Sequence, residues 1–326
     1  MKTVSLLLCA GLVLLLPANL MAADVPISEA TSECIDCHAT IHPGIIEDWQ
    51  NSRHARLSPA QAMAVEGLAR KVSSPTVPEA LTGTVVGCAE CHTLRPGDHA
   101  DTFEHNGYDL HVVVSPEDCA TCHPVERQQY SRNIMSHAYG NLADNPLYRK
   151  LEDSILDHSR IEGRRVVATA AAAATREEAC YSCHGTRLKV TGTETRETDL
   201  AGELDFPVIA GWPNQGVGRV NPDGSLGACS ACHTRHAFSI EMARKPYTCK
   251  QCHLGPDVPV YKVYAASKHG NLYATHGSKW NFDAVPWRVG EDFTAPTCAA
   301  CHVSLVVDAD GEVVSERTHQ MKEMTG

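Results

Sequence analysis

Apolar residues crowd together only once in this sequence, in the run of residues 4–16. Lys2 precedes the run and Ala22-Ala23 follows it, so residues 1–23 read as a signal peptide. Cys9 lies inside the run behind Leu8, where a lipid-anchored chain would carry a small residue, and no lipid anchor is expected. No later stretch approaches 18 consecutive apolar residues, so residues 24–326 are expected to form one soluble domain. There, short helical patterns alternate with polar, turn-rich stretches. Residues 43–56, 124–139, 145–161 and 259–269 read as helices. Ser58-Pro59 opens another, with serine as N-cap and proline in the first turn. Residues 166–175 are alanine-rich and predict a helix leading into Cys180. Residues 73–87 read as a loop. Residues 185–228, with Gly192, Gly202, Gly211, Gly216, Gly218 and Asn221-Pro222-Asp223-Gly224, read as a long loop region with room for a hairpin. Residues 304–315 fold back at Asp308-Ala309-Asp310-Gly311 as a hairpin. The predicted class is mainly α, with long loops and few strands.

The cysteines change the picture. Cys229-Ser-Ala-Cys232-His233 and Cys249-Lys-Gln-Cys252-His253 share the form Cys-x-x-Cys-His. The same pentapeptide runs from Cys34 through Cys37 to His38, and from Cys88 through Cys91 to His92. It recurs with Cys119, Cys122 and His123, with Cys180, Cys183 and His184, and with Cys298, Cys301 and His302. Every cysteine except Cys9 is used. Composition alone predicts roughly 0.04 such matches in a chain like this one, and seven are present. A disulfide framework or zinc sites would explain paired cysteines, but neither needs a histidine directly after every second one. The pattern is the attachment signature of haem c: two thioether bonds to the porphyrin and a proximal imidazole on the iron. Seven covalently attached haem c groups are therefore expected, in an exported protein, with a bacterial periplasm as the compartment. About 303 residues then serve seven cofactors, so apolar side chains should pack on porphyrin faces, in a multihaem cytochrome c fold organised around the haems. First cysteines are separated by 54, 31, 61, 49, 20 and 49 residues. The two shortest gaps should hold haems that touch or nearly touch, and no fixed period marks a solenoid.

Charge narrows the partners. The chain carries a net charge of −11, and −12 without Lys2, which excludes nucleic acid and points to solubility, steering of small polar molecules, or a basic redox partner. Eleven histidines lie outside the motifs: His42, His54, His99, His105, His111, His137, His158, His236, His269, His276 and His319. A carrier places a second imidazole on each iron, whereas an enzyme leaves one iron open to substrate. Eleven candidates for seven irons accommodate both.

Words around the sites are more specific. Trp49-Gln-Asn-Ser-Arg-His54-Ala, Ser136-His137-Ala, Cys232-His233-Thr-Arg-His236-Ala-Phe-Ser239, Arg244-Lys245-Pro246, Ser267-Lys268-His269-Gly270, Ala295-Pro-Thr-Cys298 and Thr318-His319, in this order, resemble the hydroxylamine oxidoreductase family of octahaem cytochromes c. The resemblance spans nearly the whole mature chain. It implies distal ligation by His54, His137, His236, His269 and His319, with His105 or His111 supplying another. It also implies that Cys180-Tyr-Ser-Cys183-His184 is the attachment site of the catalytic haem, open on its distal side.

The departures matter too. The family has an eighth attachment site, a long helical region and, in oxidative members, a cross-linking tyrosine, all beyond the point where this sequence ends. An Asp-His pair handles protons in those members. Here the matching dipeptide is Asp257-Val258, which keeps only a carboxylate, itself able to relay protons. Both losses point toward reduction of nitrite or related nitrogen oxides. The expectation is thus an oxidoreductase of hydroxylamine oxidoreductase or nitrite reductase type, with His184 and Asp257 catalytic. The alternatives are a non-catalytic electron-transfer cytochrome and a partial subunit that needs a partner chain. Expected partners are another c-type cytochrome or a quinol-linked membrane cytochrome, together with a small nitrogenous substrate. Oxidative members of the family are trimers, which implies a homo-oligomer here only as far as the missing region is not needed for it.

Overall fold

The computed structural model describes residues 25–255 and 258–321; the signal-peptide reading falls on residues outside these. Short helices, each started by a local cap, connect the attachment segments. Ser28 accepts from Thr31 N at the head of Glu29–Ile41, and Ser267 from Gly270 N at the head of Lys268–His276. Ser58 and Gln61 form a reciprocal capping box in front of Pro59–Ala64, as the Ser-Pro pair predicts. Asn145 caps Pro146–Leu156, which ends five residues before the expected boundary. The helix expected over 124–139 divides into Pro124–Tyr130 and a 3-10 turn, Ile134–His137. The alanine-rich stretch delivers a helix only over Ala173–Ala179.

Strand is more abundant than expected: the fold is mixed, 42% helical and 17% strand, in small sheets. Hairpin β1 (Thr102–His105) with β2 (Tyr108–His111) turns at Asn106-Gly107, both at positive φ. A second hairpin pairs β3 (His158–Glu162) with β4 (Arg165–Thr169). The longest joins β5 (Lys189–Thr198) to β6 (Gly202–Ala210), inside the stretch expected to be mostly loop. Near the C-terminal end, β7 (Trp287–Arg288), β8 (Val306–Val307) and β9 (Val313–Ser315) form a three-stranded sheet. Strand β5 is rich in threonine and charge and exposed nearly throughout, so it stands by β-branched propensity and pairing, without an apolar face to announce it.

The core is unusual. Among the described residues, 20 buried polar or charged side chains outnumber 17 buried hydrophobic ones. One compact apolar cluster, Phe282, Trp287, Phe293, Ala300 and Val306, sits beside the last attachment helix, with Arg244 stacked over Trp287 at 4.6 Å. Elsewhere, protein-on-protein apolar packing is sparse.

Candidate haem and redox site

Each Cys-x-x-Cys-His segment makes about one turn. The histidine N–H donates to the carbonyl of its first cysteine at His123 (2.9 Å), His184 (3.1 Å), His233 (3.0 Å) and His253 (2.9 Å). Cys88–His92 and Cys298–His302 are helices outright. At 3.6 residues per turn, two sulfurs and an imidazole come to one side of the segment. This is the arrangement that two thioethers and one axial ligand to a single macrocycle require.

A ring that binds metal through one nitrogen needs the other held. His92 Nδ1 donates to the His111 carbonyl at 2.8 Å, and His184 Nδ1 to the Ala138 carbonyl at 3.2 Å. His38 Nδ1 meets His42 Nδ1 at 3.0 Å. His123 and His233 bond the backbone of Lys71 and Ser239. Two imidazole nitrogens on opposite sides of one metal, each at about 2.0 Å, put ring centres roughly 6.3 Å apart. His38 and His105 are 6.3 Å apart, His54 and His123 6.5 Å, and His233 and His319 6.4 Å. His105 and His319 each bury an Nδ1 without a hydrogen-bond partner. Burial, reinforced by a neighbouring imidazole in each case, pushes His54, His233 and His319 down to about 4, so they are neutral, as ligands must be. These residues fit haem.

His111 behaves differently. Its ring centre lies 6.1 Å from that of His92, but its own carbonyl holds His92 Nδ1. One residue cannot do this and also face the same imidazole across an iron. The ring of His111 instead stacks on His99 at 3.7 Å and 7°. His99 reaches Asp118 at 3.2 Å and Asp101 at 3.4 Å. Burial works against its charge, but the Asp101 and Asp118 carboxylates overcome this and raise it to about 9. His111 is pushed down to about 4 by burial and then by the His99 charge. A buried imidazolium thus lies on a neutral imidazole, an arrangement the sequence reading missed; Asp101 and Asp118 were its only available signal.

The attachment sulfurs form a string. Cys119 and Cys229 lie within hydrogen-bonding reach of each other, as do Cys249 and Cys298, and Cys183 and Cys252. Cys34 with Cys88, Cys91 with Cys122, and Cys232 with Cys249 and Cys252 are electrostatic neighbours. The path runs from site 34–38 through 88–92, 119–123, 229–233 and 249–253, then forks to 298–302 and 180–184. Sites across the two short sequence gaps are indeed neighbours. The sulfurs in hydrogen-bonding reach, however, join sites whose cysteines lie 110, 49 and 69 residues apart.

At the 180–184 branch the backbone is clamped. Gly185, at φ +89°, packs on the backbone of Gly218 and Arg219, and Gly218 packs on the backbone of Ala138, Tyr139 and His184. Val217 N donates to the Cys183 carbonyl at 3.0 Å, and Asn214 Nδ2 to the Tyr181 carbonyl at 3.0 Å. Among the described residues, no imidazole ring stands at the bridging separation from His184. Tyr181 lies 5.5 Å from Tyr139, and its hydroxyl reaches Glu152 Oε2 at 3.3 Å. His137 is exposed, with Nε2 on the Ser131 carbonyl, and His269 is exposed on its helix. His236 is near enough to feel the charge of His92. Asp257 lies outside the described residues.

Comparisons with known proteins point to multihaem cytochromes. A family model described as "Seven times multi-haem cytochrome CxxCH" matches residues 223–321, and one described as "Cytochrome c554 and c-prime" matches residues 118–203. A solved structure titled "Hypothetical multiheme protein" is 46% identical over 90% of this chain and 56% of its own, with a TM-score of 0.85. A curated "Probable nitrite reductase-hydroxylamine oxidoreductase fusion protein" of Kuenenia stuttgartiensis is 26% identical over 83% of this chain. A chain of the Kuenenia stuttgartiensis reducing HAO-like protein complex is 20% identical over 84% of this chain and 42% of its own, with a TM-score of only 0.44. The chain spans 25% of the curated relative and just over half of the solved multihaem chain. The chain is a multihaem cytochrome with covalently bound haem c and distant relatives named for nitrite and hydroxylamine chemistry.

Proposed function

We propose that this chain is a periplasmic heptahaem cytochrome c that couples electron transfer to the redox chemistry of hydroxylamine- or nitrite-like nitrogen compounds at the iron held by His184. The observation that carries this reading is the sulfur string, which reaches Cys183 through Cys252 at the site whose backbone is clamped by Gly185 and Gly218. When bound there, haem supplies an iron that exchanges single electrons and accepts a small ligand. The chain's own contribution is positional. The Ala138 carbonyl fixes the proton on His184 Nδ1, and the Gly185–Gly218 packing fixes Ala138 relative to His184. Asp257 is the proposed proton relay. His105, His54 and His319 are the proposed distal ligands opposite His38, His123 and His233, with His137, His236 and His269 completing the set. The proposed redox partner is another c-type cytochrome or a quinol-linked membrane cytochrome.

The string would serve a pure carrier equally well, and one experiment separates the two. Full-length protein matured with haem attachment is examined by EPR and optical spectroscopy before and after addition of hydroxylamine or nitrite. A high-spin ferric component that shifts on addition, and is lost in His184→Ala, supports the enzyme. Wholly low-spin spectra unmoved by either molecule would make the chain a conductor only.

A further inference from the structure

Arg219, in the loop that clamps the 180–184 site, is only 2% exposed. Three hydrogen bonds place its guanidinium. Nε donates to Asn221 Oδ1 at 2.7 Å, Nη1 to the Asn214 carbonyl at 3.1 Å and Nη2 to the Val114 carbonyl at 3.2 Å. The group also lies 5.6 Å from the centre of the Trp212 ring. Every acceptor is neutral, and the two asparagines are themselves held: Asn214 Oδ1 accepts from Gly216 N, and Asn221 Nδ2 donates to the Gly227 carbonyl, both at 2.9 Å. The polypeptide thus satisfies the hydrogen bonds of this cation and supplies no counter-charge. Asp118 and Asp223, the carboxylates beside the same segment, are engaged elsewhere. Asp118 holds Arg95 at 3.3 Å and His99 at 3.2 Å, and Asp223 accepts from Ser115 Oγ at 2.6 Å and stands 3.9 Å from Arg95. Arg235, 4.9 Å from the centre of the same Trp212 ring, adds a second positive charge. A charge buried on neutral acceptors alone is costly.

Two attachment sites meet at this guanidinium. Val114, which accepts from Nη2, directly precedes Ser115, the N-cap of the helix Pro116–Cys119. On the other side, the Arg219 carbonyl accepts from Gly227 N at 2.7 Å, and the Val217 carbonyl accepts at 3.2 Å from Ala228 N, one residue before Cys229. Cys119 and Cys229 lie within hydrogen-bonding reach of each other and are among the groups that act most strongly on Arg219. In haem-loaded protein both sulfurs are thioethers and carry no charge. What then lies beside Arg219 is the cysteine-bearing edge of two porphyrins, and each cofactor gains one negative charge when its iron takes an electron. We propose that Arg219 is an electrostatic residue that favours the reduced state of the two haems attached at Cys119/Cys122 and Cys229/Cys232. A fixed positive charge stabilises an added electron, and more strongly in a buried, low-dielectric setting. Electrons accordingly collect in the middle of the sulfur string, between its unforked end and its fork. This inference needs haem at both sites but is independent of any chemistry at His184.

The test is a redox titration of full-length, haem-loaded protein by EPR and optical spectra, with haem counted in parallel. Arg219→Gln, which keeps a hydrogen-bonding side chain and removes the charge, is compared with Arg219→Lys, which keeps the charge. Arg196→Gln on the exposed strand β5 is the control. The expected result for Arg219→Gln is a wild-type haem count, with two low-spin components shifted about tenfold toward the oxidised form at fixed potential, ~59 mV for a one-electron couple. Arg219→Lys and the control should titrate as wild type. Unmoved potentials in Arg219→Gln overturn the proposal, as does an equal shift in Arg219→Lys, which would mean that packing and not charge is responsible. Should Arg219→Gln fail to mature, Asn221→Asp sets a carboxylate at the Nε contact and neutralises the guanidinium in place. The same two components then shift in the same direction, and their staying put overturns the proposal.

Discussion

The sites at His123 and His233 and the site at His184 share a pentapeptide and are built in opposite ways. At the first two, a second imidazole stands 6.5 or 6.4 Å away, and the attachment cysteines are in reach of each other. At the third, side chains are replaced by backbone: three glycines let residues 216–218 press against 184–185. Paired rings hold an iron's coordination constant as electrons pass. A clamped backbone fixes one side of a site, and under the proposed function the other side takes the ligand. The difference teaches that the motif decides attachment, while its surroundings decide what the attached group is used for.

Both halves of this comparison can be broken by mutation. The largest effect is expected beside the string, where His99→Leu leaves Asp101 buried without its cation and Asp118 with Arg95 alone, at 3.3 Å. Chemical denaturation should show a loss of about 3 kcal/mol, and a loss under about 1 kcal/mol would mean that the cluster is not ionised as described. At the clamped site, Gly185→Ala forces a side chain onto backbone at φ +89°. About 2 kcal/mol of destabilisation is expected, with altered spectra confined to the His184 haem; loss of a distant low-spin signal instead would blur the distinction between the two regions. Trp49→Phe should cost about 1 kcal/mol, since it removes the Nε1 hydrogen bond to the Val86 carbonyl at 3.0 Å. Val86 N in turn donates to the His54 carbonyl, so the low-spin signal of the His123 haem should broaden in EPR while the His184 haem stays unchanged.

The gentlest probe is pH. The His99 imidazole is raised to about 9 in the folded protein against about 6.5 unfolded. Its stabilisation is therefore fully present below about pH 6.5 and is lost as pH rises through about 9. Melting curves across that window should show the decline in wild type and not in His99→Leu. An identical decline in both would assign it to another group.

What could be read in the sequence followed from where its information is local. Attachment segments declare themselves because the covalent chemistry demands fixed residues at fixed spacing. Caps at Ser58 and Asn145 were equally legible, being contacts over two or three residues. The β1–β2 hairpin, only four residues a side, was not foreseen, and β5–β6 was foreseen only as room for a hairpin within a loop, because β5 carries threonine and charge without an apolar alternation. Phe206 on β6 packs against Phe103 and His105 at 5.7 and 6.2 Å, so the long hairpin braces a proposed ligand by a contact spanning 101 residues. The fork in the string and the His99–His111 stack are likewise products of tertiary assembly. The resemblance left His105 and His111 as equals; the structure sets the ring of His105 6.3 Å from His38, while the carbonyl of His111 is engaged by His92 Nδ1.

Among the described residues, buried polar side chains outnumber buried hydrophobic ones, so the polypeptide gains little protease resistance from collapse alone. Its survival then depends on completed covalent maturation. Cells that lack the attachment machinery should clear it as scrap, so its abundance reports the supply of cofactor more faithfully than the level of its transcript.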